Sequence, residues 1–249
     1  MRIKNKFWII ILSVVIIACD EGSNSDSSMQ GVGGSLSRFA ISQNNLYLAS
    51  GSLVTVYDIG QNKFEKSQEV PISFGLETIQ TNGDYLYLGA RDAMYIYSIA
   101  NRASPKFVFR YSHIVSCDPV VVQGNRAYVT LRSGNSCNLG SNALEILDIS
   151  DPYNPQLVTQ YPMTSPGGLG VYGTCLFVCE GSYGLKMLNV TGDEVQLLKE
   201  IKDVNAYDVI VQANKIILTG KDGISQYQYD CLTASLQLLS KIPVVRAEL

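Results

Sequence analysis

Residues 83–99 read GDYLYLGARDAMYIYSI, two runs of alternating aromatic and aliphatic residues split by a short polar turn. Such alternation on both sides of a turn is the pattern of an antiparallel hairpin with one buried face. The hairpin recurs at 44–59 (NNLYLASGSLVTVYDI), 125–149 (NRAYVTLRSGNSCNLGSNALEILDI), 173–190 (GTCLFVCEGSYGLKMLNV) and 213–229 (ANKIILTGKDGISQYQY). With Tyr47, Tyr87, Tyr128, Phe177 and Ile217 aligned, the steps are 40, 41, 49 and 40 residues. A period near 40 is that of propeller blades.

Each hairpin sits between two further strand-like runs. Ahead of it come LETIQ, DPVVVQ, GLGVY or YDVIVQ, which enter turns such as Asn82-Gly83-Asp84 and Gly124-Asn125 whose residues tolerate positive φ. Behind it come KFVFRYS, PQLVTQYPM, VQLLKEI or LQLLSKIPV. A four-stranded unit cannot bury both of its apolar faces alone, so neighbouring units must stack. The expected fold is all-β, a β-propeller of about five four-stranded blades at 36–72, 73–112, 113–163, 164–202 and 203–244. The first unit begins on a first strand and the last ends on a fourth, so the ring is expected to close by blade packing without a swapped strand. The composition agrees, with 15 Tyr, 21 Gly and no long 3.6-residue apolar period.

The N-terminus carries a different message. Arg2, Lys4 and Lys6 precede the apolar run Phe7 to Ile17, too short to span a bilayer and built like a secretory signal peptide over residues 1–18. Ile16-Ile17-Ala18-Cys19 resembles the lipobox of bacterial lipoproteins, which implies that Cys19 is lipidated and anchors the mature chain to a membrane. Residues 19–35 are nearly devoid of apolar side chains and read as a flexible tether with a reach of about 20–24 Å. Asp20 and Glu21 resemble an inner-membrane retention signal in some bacteria and a surface-export signal in others. The expected location is the cell envelope, at the outer membrane in preference to the inner, periplasmic or surface-exposed. Of 19 basic residues three leave with the signal, giving 16 against 22 acidic ones and a mature charge of about −6. That balance argues against nucleic acid and anionic lipid as partners.

At 142–158, NALEILDISDPYNPQLV, the chain resembles the LVIVD-repeat family of bacterial β-propellers. Leu144, Ile146, Leu147, Asp148 and Ile149 match the strand of that repeat, and Asp151-Pro152 with Asn154-Pro155 match its corner. Weaker copies lie at Val54 to Ile59, Met94 to Ile99 and Leu185 to Val190, and the resemblance extends over roughly 36–244. Residues 116–137 look typical of lipid-anchored members. The resemblance implies a propeller fold and an envelope location, and it assigns no reaction.

An exported chain can form disulfides. Cys117 and Cys137 are the expected pair, which would pin the only long insertion, residues 133–142, to one propeller face. Cys175 and Cys179, about 13 Å apart on one strand, are too distant to bridge each other and read as core residues. With a single histidine, His113, and with Cys231 on another blade, they lack the partners of a metal site.

Catalytic patterns are sparse. His113, Ser116 and Asp118 are neighbours in sequence, but a catalytic triad is a spatial arrangement. Aligning the repeats superposes Ser37, Glu77, Asp118, Gly167 and Tyr207 at the start of the first strands, with Arg38 and Asp208 one residue on. These side chains are expected near one mouth of the central channel. Glu77, Asp118 and Asp208 could there offer oxygen ligands to Ca²⁺. The favoured function is a non-catalytic module binding or scaffolding an envelope protein or glycan. The alternative is a metal-assisted hydrolase or lactonase using the acidic mouth.

Overall fold

The computed structural model describes residues 34–61, 63–73, 75–112, 119–133 and 142–244. Cys19, His113, Ser116, Asp118 and the expected Cys117 and Cys137 pair lie outside these residues. Blade 1 contains β1 (Phe39–Ser42), β2 (Asn45–Ser50), β3 (Leu53–Asp58) and β4 (Glu65–Pro71). Blade 2 contains β5 (Leu76–Asn82), β6 (Tyr85–Ala90), β7 (Ala93–Ser98) and β8 (Lys106–Ser112). Blade 3 contains β9 (Val120–Gln123), β10 (Arg126–Leu131), β11 (Ala143–Asp148) and β12 (Gln156–Pro162). Blade 4 contains β13 (Leu169–Tyr172), β14 (Cys175–Cys179), β15 (Leu185–Asn189) and β16 (Gln196–Ile201). Blade 5 contains β17 (Ala206–Val211), β18 (Lys215–Gly220), β19 (Gly223–Asp230) and β20 (Ser235–Pro243). Within every sheet the strands follow chain order, and no strand is exchanged between sheets. The fold is an all-β propeller of five four-stranded blades.

The same local devices shape every blade. Gly83 (φ 57°) and Gly124 (φ 56°) take the left-handed backbone that closes the hairpin between first and second strands, where a Cβ would be strained. The last residue of each third strand turns the chain by accepting a hydrogen bond from the backbone N–H two residues on: Asp58 from Gly60, Ser98 from Ala100, Asp148 from Ser150, Asn189 from Thr191 and Asp230 from Leu232. Third and fourth strands then pair with a register shift in all five blades, for example between Ile96 and Tyr97 and between Ile146 and Leu147. Such a bulge bends the outer strand and increases its twist.

Apolar clusters glue successive blades. Tyr47 and Val56 of blade 1 meet Leu86 and Leu88 of blade 2, and Tyr87 and Ile96 meet Val129 and Leu147 of blade 3. Tyr128 and Ile146 meet Leu176 and Val178 of blade 4, and Phe177 and Met187 meet Val209 and Leu218 of blade 5. Full burial of each such side chain contributes about 1.5–3 kcal/mol. Among the described residues no cluster joins blade 5 to blade 1. At the aligned position, Tyr47, Tyr87, Tyr128 and Phe177 are 0–3% exposed, whereas Ile217 of blade 5 is only half-buried. On the opposite face Leu48 of blade 1 is 37% exposed while its counterpart Leu88 is 0% exposed. The expected closure by blade packing is therefore not what holds the ring: the two terminal blades leave a seam. The strand alternation of the first and last units is that of the inner ones, although ISQYQY of the last departs most from the repeat, and alternation does not tell which face lacks a neighbour.

Candidate functional site

Between the five first strands lies a cavity of about 300 Å³. Its wall includes Ser35, Ser37, Gln80, Asn82, Gln123 and Tyr172. Several of these fasten neighbouring blades as well as lining the space, among them Asn82, which donates to Gly124 O (2.7 Å). Gln80 accepts from Val122 N (2.8 Å) and donates to Val122 O (3.1 Å), so its amide stands in for a missing rung between β5 and β9. Gln123 repeats this with Gly173 N and O between β9 and β13, at 2.9 and 2.8 Å. The amide residue just ahead of the turn glycine, Asn82 before Gly83 and Gln123 before Gly124, is the sequence signal for such clamps; Gln80, two residues further back, has no counterpart in the next repeat.

At one end the cavity is closed by residues 34–37, which leave blade 1 and cross to blades 4 and 5. Ser35 Oγ donates to Asp208 Oδ1 of β17 (2.9 Å) and accepts from Leu169 N of β13 (2.7 Å). Leu36 N points at Asp208 Oδ2 (3.4 Å), and Ser37 O accepts from Ile79 N of β5 (3.1 Å). Gly34 leaves room for this contact, because a Cβ would lie 2.2 Å from Asp208 Oδ2 and displace the carboxylate. Ser35 falls in the stretch expected to be tether, yet it is only 4% exposed. A serine in a Gly-Gly-Ser run carries no sequence mark of burial. Desolvation raises the Asp208 carboxyl above the ordinary aspartate range, against hydrogen bonds from Ser35 and nearby backbone that favour its ionised form. Buried Cys179 is next to this carboxylate, and burial, reinforced by the Asp208 charge, holds its thiol well above the usual value.

The ring of superposed side chains does not form a cation cage. Glu77 faces Arg91 (3.6 Å), Asp208 is taken up by Ser35 and Leu36, and Asp118 lies outside the described residues. Among the described residues no three His, Cys, Asp or Glu side chains converge. Arg38 and Tyr207 are exposed; they contribute backbone carbonyls, Arg38 O to Ala49 N (2.7 Å) and Tyr207 O to Gly168 N (3.2 Å). Gly167 donates to Cys179 O (2.8 Å) and accepts from Thr130 Oγ1 (2.8 Å). At the stem of the insertion, Asn142 accepts from Ser133 N (2.7 Å) and donates to Thr164 O (2.6 Å), linking blade 3 to the start of blade 4.

Cys175 and Cys179 are both buried, as expected of core residues, but Cys175 is bonded to Cys231, with Cα atoms 5.8 Å apart. The bond ties β14 to the end of β19, hence blade 4 to blade 5. In sequence the partners are 56 residues apart, and only the stacking of the two blades brings them together.

Residues 77–113 and 116–163 match the LVIVD repeat. Blades 2 and 3 carry LVIVD repeats. Solved structures of the same fold include the periplasmic gluconolactonase of Pseudomonas aeruginosa, at 13% identity and TM-score 0.65 over 81% of this chain and 68% of that one. A candidate 6-phosphogluconolactonase of Bacteroides uniformis matches at 10% identity and TM-score 0.68, over 83% and 70%. The computationally designed Ika8 protein matches at 14% identity and TM-score 0.61 over 80% of this chain, which spans 59% of the length of Ika8. No curated protein sequence matches the chain. At these identities the likeness is one of fold. It nevertheless overturns the expectation that the propeller is not an enzyme, which rested on the lack of a readable motif: the same architecture is that of a gluconolactonase, so an unmarked sequence on this fold does not argue against catalysis.

Proposed function

We propose that this LVIVD-repeat propeller is a hydrolase of small, hydroxyl-rich cyclic esters, acting in its central cavity and held at the cell envelope by lipid on Cys19. The observation that carries the reading is Ser35, buried on the wall of a polar, ligand-sized cavity and donating to the half-buried carboxylate of Asp208. The polar character of the wall, which includes Ser37, Asn82 and Gln123, suits a hydroxyl-rich sugar-acid lactone. A carboxylate whose pKa is raised is a better proton acceptor at neutral pH than an ordinary aspartate. As Ser35 Oγ adds to the lactone carbonyl, its proton passes to Asp208. The ring oxygen then leaves as an alcohol, taking that proton, and water releases the acid from the serine ester. The fold shared with gluconolactonases supports the substrate class.

The test is alkali-titrated opening of a hexonic δ-lactone by the purified chain. Turnover above spontaneous opening, lost in Ser35→Ala and unchanged by a chelator, is the expected result. A rate equal to the spontaneous one, or full activity in Ser35→Ala, would remove the hydrolase reading. Globomycin-sensitive processing and radiolabelled palmitate incorporation, both abolished by Cys19→Ser, are expected for the anchor.

A further inference from the structure

We propose that the seam between blade 5 and blade 1 is a gate to the central cavity, and that residues 34–37 are its latch. This does not rest on the hydrolase reading. Four blade junctions are sealed by apolar clusters. At the fifth, the face formed by Ile210, Ile217 and Ile224 and the face formed by Phe39, Leu46 and Leu48 remain half-buried or exposed. What spans that junction is polar and short. Ser35 binds β17 through Asp208 and β13 through the N–H of Leu169, and Ser37 binds β5 through Ile79. The strap thus reaches three blades beyond its own. A Cβ at residue 34 would push the Asp208 carboxylate aside, and Gly168 is more tightly confined, since a Cβ there would stand 2.5 Å from Asp208 Oδ1 and 2.6 Å from Tyr207 O.

A junction closed by a few hydrogen bonds opens at far lower cost than one closed by ten buried side chains. Opening is therefore localised: β1 and β17 part while blades 2 to 4 stay stacked. The cavity wall includes Phe39 and Ala40 of β1 and Val211 of β17, so parting them opens the cavity sideways. The strap is also the segment that joins the propeller to everything N-terminal of it, so a pull on that end acts on the latch first.

Hydrogen–deuterium exchange of the full chain, read by mass spectrometry, tests this directly. In the native protein, peptides from β2, β3, β18 and β19 should exchange faster than those from β6, β7, β10 and β11. Ser35→Ala should speed exchange of β1 and β17 about tenfold, the loss expected for one or two hydrogen bonds, expose the Leu169 N–H that Ser35 Oγ holds, and leave the rest of blades 2 to 4 unchanged. Asp208→Asn, which keeps the side-chain shape, should give the same pattern more weakly. Equal protection of all five blades in the native chain, or a uniform rise in both variants, would overturn the gate. These readouts do not depend on activity, so a chain that opens at the seam but hydrolyses no lactone would refute only the hydrolase reading.

Discussion

Removing the Cys175 and Cys231 bond by Cys231→Ser should destabilise blade 5 selectively. Blade 5 is packed on one face only, against Phe177, Leu185 and Met187 of blade 4. The bond closes a loop of 56 residues, and the loop-entropy relation gives about 4 kcal/mol for a closure of that length. A domain of this size shifts by about 2–4 °C per kcal/mol, so the melting temperature should fall by about 8–16 °C. The change leaves the thiol of Cys175 buried as a small apolar group, without a cavity of consequence. Circular dichroism melts of the native chain and of Cys231→Ser would measure the shift, and hydrogen exchange would place it. Faster exchange in β17 to β20 with unchanged β6 and β7 is expected. A fall of less than about 1 kcal/mol, or a loss spread evenly over all blades, would refute the idea that the bond substitutes for a missing neighbour.

Phe177→Ala should cost about 3–5 kcal/mol, whereas Ile217→Ala at the aligned position of blade 5 should cost less than half of that; equal urea midpoints would contradict the open seam. Gly170→Ala puts a Cβ 2.6 Å from Val211 Cγ2 and 2.9 Å from Val209 O, so it should lose about 1–3 kcal/mol in a urea titration, and a neutral result would show that β13 and β17 can move apart freely. Asp208 holds its proton more tightly in the fold than in the unfolded chain, so its ionisation lowers stability as pH rises from about 4 through the raised pKa, and its contribution is fully present below that window. Urea midpoints of Asp208→Asn and the native chain should diverge with increasing pH across this range, and parallel curves would argue against the raised value.

Repetition made the fold legible. The alternation in 83–99 and its recurrence near every 40 residues name strands, turns and blade count, because each blade repeats the same burial problem. The recurring Asp, Ser or Asn that ends a third strand could likewise be read as a turn. The site was less legible because it is built from exceptions to the repeat. Ser35 precedes the first unit, Asp208 acts through its neighbour across the ring, and Cys231 meets Cys175 only after two blades stack. Superposing Ser37, Glu77 and Asp208 located the right end of the first strands, but side chains there turn to partners of their own: Glu77 to Arg91 and Asp208 to Ser35.

Five sheets in so small a domain present five outer strands, each with unpaired N–H and C=O groups along its rim. The register shift that recurs between third and fourth strands, from Val56 and Tyr57 round to Gln226 and Tyr227, twists each of those rims out of the flat line that another strand could join. Copies gathered side by side on one surface can therefore touch edge to edge without zipping into a shared sheet. The same kink that lets blades fan around an axis disfavours pairing along their edges.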